Sequence, residues 1–274
     1  MIHAPVNFLG LPDEWSGLER SRVVILPLPY EHTTSYGKGT VRGPEEILKA
    51  SRYLELYDEE LDSEAYRSTN GIATCPSINF GPDCVDSEAV EAIRAGVSAL
   101  IGQGKFVVCI GGEHTVAVGA AQAHTQFFDD LTVLQLDAHS DLRQEYEENP
   151  YSHATVMARI YDFNRNIVQV GIRSQSAEEA TFIKDNSINT IYDAGIRLGR
   201  YDRGKKRFSP QDCRKPADSR FRCKRTGPCS NIISPAIHRL KVDLQTHRLC
   251  LFAPVRRPEL SWLIVRMPGL CFTS

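Results

Sequence analysis

Three short segments gather the side chains able to do chemistry: GGEHT with His114, DAHSD with Asp137, His139 and Asp141, and SHATVM with His153. In the D-x-H-x-D spacing, alternate residues leaving a strand point to one side, so two carboxylates and an imidazole can converge on one cavity. Buried together without a partner, Asp137 and Asp141 would repel each other and lose hydration, a cost that divalent cations would offset while keeping both acids ionised. Carboxylates joined by imidazole, with no thiolate, suit manganese better than zinc or copper. A bridging carboxylate can hold two ions ~3.5–4 Å apart, and a water between them becomes hydroxide near neutral pH. Taken singly, His114 reads as a turn or core histidine, the DAHSD cluster as a helix cap, and His153 as a loop histidine bonded to backbone. Their joint placement is what favours a metal site.

The elements around these segments explain that placement. VVILPL at 23–28, FVVCI at 106–110, LTVLQL at 131–136, IVQVGI at 167–172 and INTIYD at 188–193 are short apolar runs rich in β-branched residues. Helical patterns alternate with them: EEILKASRYLELY with Ile47, Leu48, Leu54 and Tyr57 on one side, SEAVEAIRAGVSALIGQG after a cap at Asp86, and the small-residue stretch TVAVGAAQAH. Continuous apolar strands alternating with helices predict a parallel sheet covered on both faces, a three-layer α/β/α fold. Ligands in such sheets gather beyond the carboxyl ends of the strands, where the strand order reverses. All three chemical segments fall at predicted strand ends.

At 274 residues, the chain is long enough for one large α/β domain. No apolar run approaches the ~20 residues of a membrane helix, and the start, MIHAPVNFLGLPDEW, has no secretory pattern, so the expectation is a cytoplasmic protein with no membrane partner. Eight cysteines without C-x-x-C pairing argue against a disulfide framework, and Cys109 reads as a small core hydrophobe. The net charge of −2 hides a division: residues 195–274 hold 18 Lys/Arg against 5 Asp/Glu, residues 1–194 hold 14 against 29. Regular periodicity also stops near 195, so the chain divides into an α/β domain over 1–194 and a basic tail over 195–274, expected to be poorly ordered. Within the tail only LCLFAPV and LSWLIV look strand-like, as edge strands or sticky segments. Its Cys213, Cys223, Cys229, His238 and His247, with the basic charge, offer the competing reading of a nucleic-acid or zinc module. Their spacings do not fit paired zinc hairpins, and clustered Lys/Arg is more often a solvated face, so no nucleic-acid partner is expected.

GGEHT, DAHSD and the following SHA resemble the ureohydrolase family of arginases and agmatinases, the agmatinase branch above all. PLPYEHTTSYGKGTVRGPEEILKAS, YLELYDEEL and VGIRSQSAEEATF are similar to that branch as well, carrying the resemblance from about residue 20 to residue 194. The resemblance implies a mostly parallel arginase-like sheet and a homo-oligomer. It also implies a two-manganese centre that hydrolyses a small guanidino substrate, releasing urea and an amine such as putrescine in polyamine biosynthesis. By similarity His114 and Asp141 would hold one manganese, His139 the other, Asp137 would bridge them, and His153 would shuttle the proton. The family's second carboxylate motif, Ser-x-Asp-x-Asp followed by Asp-Pro, has no match in 195–274, and Glu259 stands in an unrelated context. Such a chain is expected to have an incomplete C-terminal part and to hold at least one manganese weakly. A shifted reading frame would produce this abrupt change. A non-catalytic subunit of the same fold, or an enzyme for guanidinobutyrate, arginine or formiminoglutamate, are the rival expectations.

Overall fold

The computed structural model describes residues 6–59 and 62–198, together with the backbone of two strands at 248–254 and 262–266. The expectation of poor order over most of 195–274 falls outside the described residues. Six strands of the first part enter the main sheet: β1 (Val23–Leu28), β2 (Ile72–Thr74), β3 (Phe106–Gly111), β4 (Leu131–Leu136), β5 (Ile167–Ile172) and β6 (Asn189–Tyr192). Two more, β7 (Arg248–Pro254) and β8 (Trp262–Arg266), complete an eight-stranded order β2-β1-β3-β8-β7-β4-β5-β6. All neighbours pair in parallel except β7, which runs antiparallel to both β4 and β8. The two late strands are therefore central rather than edge strands, a correction to the sequence reading. Apolar runs of this kind tell little of strand order, because a central position is set by which gap remains between β3 and β4.

Side-chain alternation along β1 shows the two covered faces. Val24, Leu26 and Leu28 join a core with helices α2 (Asp86–Gly102), α3 (Val116–Thr125), α4 (Val156–Phe163) and α5 (Ala177–Asp185). Ile25 turns to the opposite side, where it meets Leu48 of α1 (Gly43–Ser51), Leu11 and Tyr66. The three-layer arrangement expected from the sequence is present. Each fully buried Leu or Val contributes about 1.5–3 kcal/mol, which is why central strands show little alternation. Cys109 on β3 behaves as expected of a small hydrophobe, since burial pushes its thiol up to about 12. Among the described residues, no helix is long and apolar enough to cross a membrane, and Cys75, Cys84 and Cys109 are free thiols.

Two local expectations need correction. The helix beginning near Pro44 stops at Ser51 instead of continuing to Tyr57, and Leu54 and Tyr57 lie exposed. Ser51 Oγ donates back to Leu48 O and accepts the N–H of Leu9, so the hydroxyl ties off the last turn and anchors the segment packed beneath it. Asp86 begins α2 but makes no side-chain cap: its N–H donates to Tyr30 Oη and its carboxylate accepts from Asn149.

Candidate metal centre

β3 and β4 end on either side of the point where the strand order turns outward in both directions, toward β1 and β2 and toward β5 and β6. The loop after β3 is held closely against the chain leaving β1. Gly112 donates to Leu28 O, Glu113 donates to Tyr30 O, and a Cβ at Gly112 would sit 2.1 Å from that same Tyr30 oxygen. Only glycine permits this approach. The close contact turns the chain sharply, so His114 is buried, 1% exposed, just before α3 begins.

From the end of β4, Asp137 remains paired through its N–H to Val170 O on β5, and Asp141 adopts a left-handed φ of 52°. The carbonyl of Asp141 accepts from Met157 and Ala158, so the turn is locked to the first turn of α4. Glu179 on α5 holds the next residue by accepting from Leu142 N–H, while it completes a reciprocal cap with Ser176.

These backbones bring His114, Asp137 and Asp141 together. His114 Nδ1 lies 2.6 Å from Asp141 Oδ2 and 3.8 Å from Asp137 Oδ2, and one potential ligand atom from each of the three residues falls within 4.8 Å of the others. All three residues are buried, two of them acids, and the donor set is the carboxylate and imidazole mixture that a divalent cation of the manganese type accepts. Buried carboxylates this close are costly unless a cation or donor lies between them.

The other two sequence candidates stand apart from that group. His139 has a side chain 45% exposed, with Nδ1 3.6 Å from the second carboxylate oxygen of Asp137, Oδ1. Asp137 thus presents one oxygen to His114 and the other toward His139. His153 sits in the loop ahead of α4, its ring 5.7 Å from that of Tyr146 and its Nδ1 3.3 Å from Thr33 Oγ1.

Two features escaped the sequence reading. Gln135, Gln169 and Thr190 occupy registered positions on β4, β5 and β6 and form a polar ladder: Thr190 donates to Gln169, Gln169 to Gln135, and Gln135 to Asp137 Oδ2. Both glutamines are fully buried. The available signal was a glutamine inside each of two otherwise apolar strands, LTVLQL and IVQVGI, since a buried amide needs partners. The second is Glu113, whose buried carboxylate accepts from His32 N–H, Thr33 N–H and the hydroxyls of Thr33 and Thr115.

Comparison with known proteins places these observations. The model of the arginase family matches residues 21–208. An N(1)-aminopropylagmatine ureohydrolase of Synechocystis sp. is 36% identical over 201 residues, covering 70% of this chain and 65% of that protein. An agmatinase of Bacillus anthracis is 35% identical over 173 residues, covering 62% of this chain and 59% of that protein. The chain thus spans less than two thirds of the length of these curated relatives. Among solved structures, the agmatine ureohydrolase of Thermoplasma volcanium superposes with a TM-score of 0.60 at 28% identity, covering 75% of this chain and 70% of that one.

Proposed function

The chain belongs to the arginase family, and from that premise we propose that it is a manganese-dependent hydrolase of a guanidino group, acting on agmatine to release urea and putrescine. The observation that carries the reading is the buried His114, Asp137 and Asp141 group at the carboxyl ends of the sheet strands. In this reading those three residues would hold one ion, and Asp137 together with His139 would hold a further one. Bound manganese would supply a hydroxide nucleophile and polarise the guanidinium.

The chain's own groups then have distinct tasks. Asp137 and Asp141 fix the ligand geometry, with the amide ladder orienting Asp137. His153 holds the proton that the departing amine must receive, a step suited to an imidazole near neutral pH. The second ion is the weaker one, because His139 is half-exposed and the tail sequence does not contain the carboxylate motif that its relatives' resemblance calls for. The protein acts in the cytoplasm as a homo-oligomer.

A second substrate is favoured by a specific observation: the 36% identical relative is named for N(1)-aminopropylagmatine, an agmatine lengthened at its far amine. Both substrates present the same guanidinium to the metal ligands. The test is urea release from each by the purified full chain with added manganese, beside a His139→Ala control and with metal content measured on the same samples. Urea production that disappears in the control supports the reading. No urea with at most one manganese per chain sinks it and leaves a non-catalytic subunit of the family.

A further inference from the structure

The loop after β1 and the loop ahead of α4 lie 120 residues apart in sequence, yet one hydroxyl joins them. Thr33 Oγ1 is 2.8 Å from Glu113 Oε1, accepts the N–H of His153 at 2.9 Å, and lies 3.3 Å from His153 Nδ1. Glu113 is fully buried, and its carboxylate sits at the centre of four donors. Two of these are backbone N–H groups of His32 and Thr33, which can only donate; a carboxylate offers about four lone-pair sites, and the donors fill them.

A threonine hydroxyl has one hydrogen and two lone pairs. With the hydrogen directed to Glu113 and one lone pair taken by the His153 N–H, the second lone pair faces His153 Nδ1. That contact is satisfied only if Nδ1 carries a hydrogen. Ser152 Oγ, also 3.3 Å from Nδ1, already accepts the N–H of Ala154 and keeps a second lone pair that can receive the same ring hydrogen, and the ring makes a T-shaped contact with Tyr146.

We infer that Glu113, acting through Thr33, is a positioning residue for His153: it fixes the ring's orientation and sets the neutral imidazole's proton on Nδ1, so that Nε2 is the basic nitrogen. The inference deepens the proposed function, and it rests on the reading of His153 as the proton carrier. Neither Glu113 nor Thr33 touches the reacting atoms in this scheme. Glu113 also adjoins His114, so one short stretch of chain carries a candidate metal ligand and, through Thr33, holds the loop of His153. A stretch that does both keeps the two in register.

The test compares Thr33→Val, which keeps the shape and removes the hydroxyl, with Thr33→Ser, which restores the hydroxyl. Two readouts are taken on the full chain. In the first, histidine-labelled protein is studied by nitrogen NMR before manganese is added, with His153→Gln to assign the ring. The expected wild-type pattern has the unprotonated nitrogen coupled to both carbon-bound ring protons, as Nε2 would be, a pattern kept in Thr33→Ser and lost in Thr33→Val. In the second, the manganese-loaded variants are assayed for urea release. Thr33→Val should lower kcat by ~10–100-fold, a fraction of what a general acid or base contributes, with KM changed less than ~3-fold, and Thr33→Ser should recover most of the loss. A wild-type ring protonated on Nε2, or a Thr33→Val ring with the wild-type pattern, overturns the inference. If no sample releases urea while the NMR pattern behaves as expected, the proposed function fails and the positioning role stands.

Discussion

The two loops that carry the candidate ligands are built in opposite ways. After β3 the chain is buried through Gly112, Glu113 and His114, hemmed in by Tyr30 and by the start of α3. After β4 it opens from buried Asp137 to half-exposed His139 and returns to buried Asp141. The difference teaches that one side of the centre is closed by burial, while the other reaches the surface at His139. Around His114 a side chain has nowhere else to go, whereas His139 is held by hydrogen bonds from Gln135 to its carbonyl and from its own N–H to Asp137, with its ring half-exposed. A metal bound mainly by the first loop and Asp141 should therefore be tighter than one that relies on His139.

The sharpest way to break this comparison is to remove each histidine in turn. His114→Ala should weaken the tighter manganese by more than ~100-fold, since a direct ligand matters more than the outer partners whose loss costs ~10–100-fold. His139→Ala should leave that ion bound and abolish only the weaker one. Elemental analysis after dialysis, together with calorimetric titration, reads both numbers. Equal losses in the two variants would mean that burial does not rank the sites.

Acid should loosen the packed side, because α3 carries His124, which burial pushes down to about 4. The folded protein keeps this ring neutral, while the unfolded chain protonates it below its ordinary value of about 6.5. Its contribution is fully present above pH 6.5 and is lost as pH falls from 6.5 toward 4, by about 3 kcal/mol across that window. Denaturation in manganese-free buffer at pH 7 and pH 4.5 should show a steep loss for the wild type and a shallower one for His124→Gln. Parallel curves would remove His124 as the cause.

The hydrogen-bonded side is probed through the ladder. Gln169→Leu should leave Gln135 without its donor and allow Asp137 to turn, weakening manganese binding by ~10–100-fold, with a loss of global stability of about 1–3 kcal/mol from the buried groups left unpaired. Titration of the variant beside His139→Ala checks whether the ladder serves the metal or only fills the space between strands.

Much of this was legible before any coordinates. The five apolar runs became strands, the alternation with helices became the three layers, and the D-x-H-x-D spacing delivered two buried acids to one place. The exceptions have local causes. Helix α1 ended early because the Ser51 hydroxyl competes for backbone groups, and a pattern of apolar residues does not register that competition. Glu113 went unremarked because an acid beside a motif histidine looks like part of the motif, and only its four donors reveal a separate task.

Sequence alone determined which residue types stand at strand ends, since periodicity and polarity are properties of the chain read in order. It therefore determined the fold class and the candidate ligands. Tertiary structure decided the rest: that β7 and β8 pair at the centre of the sheet, that His114 meets Asp141 while His139 remains at the surface, and that Thr33 reaches His153 across 120 residues. The reason is physical. Burial and hydrogen-bond partners are relations between distant segments, and they come into being only when the sheet brings those segments together.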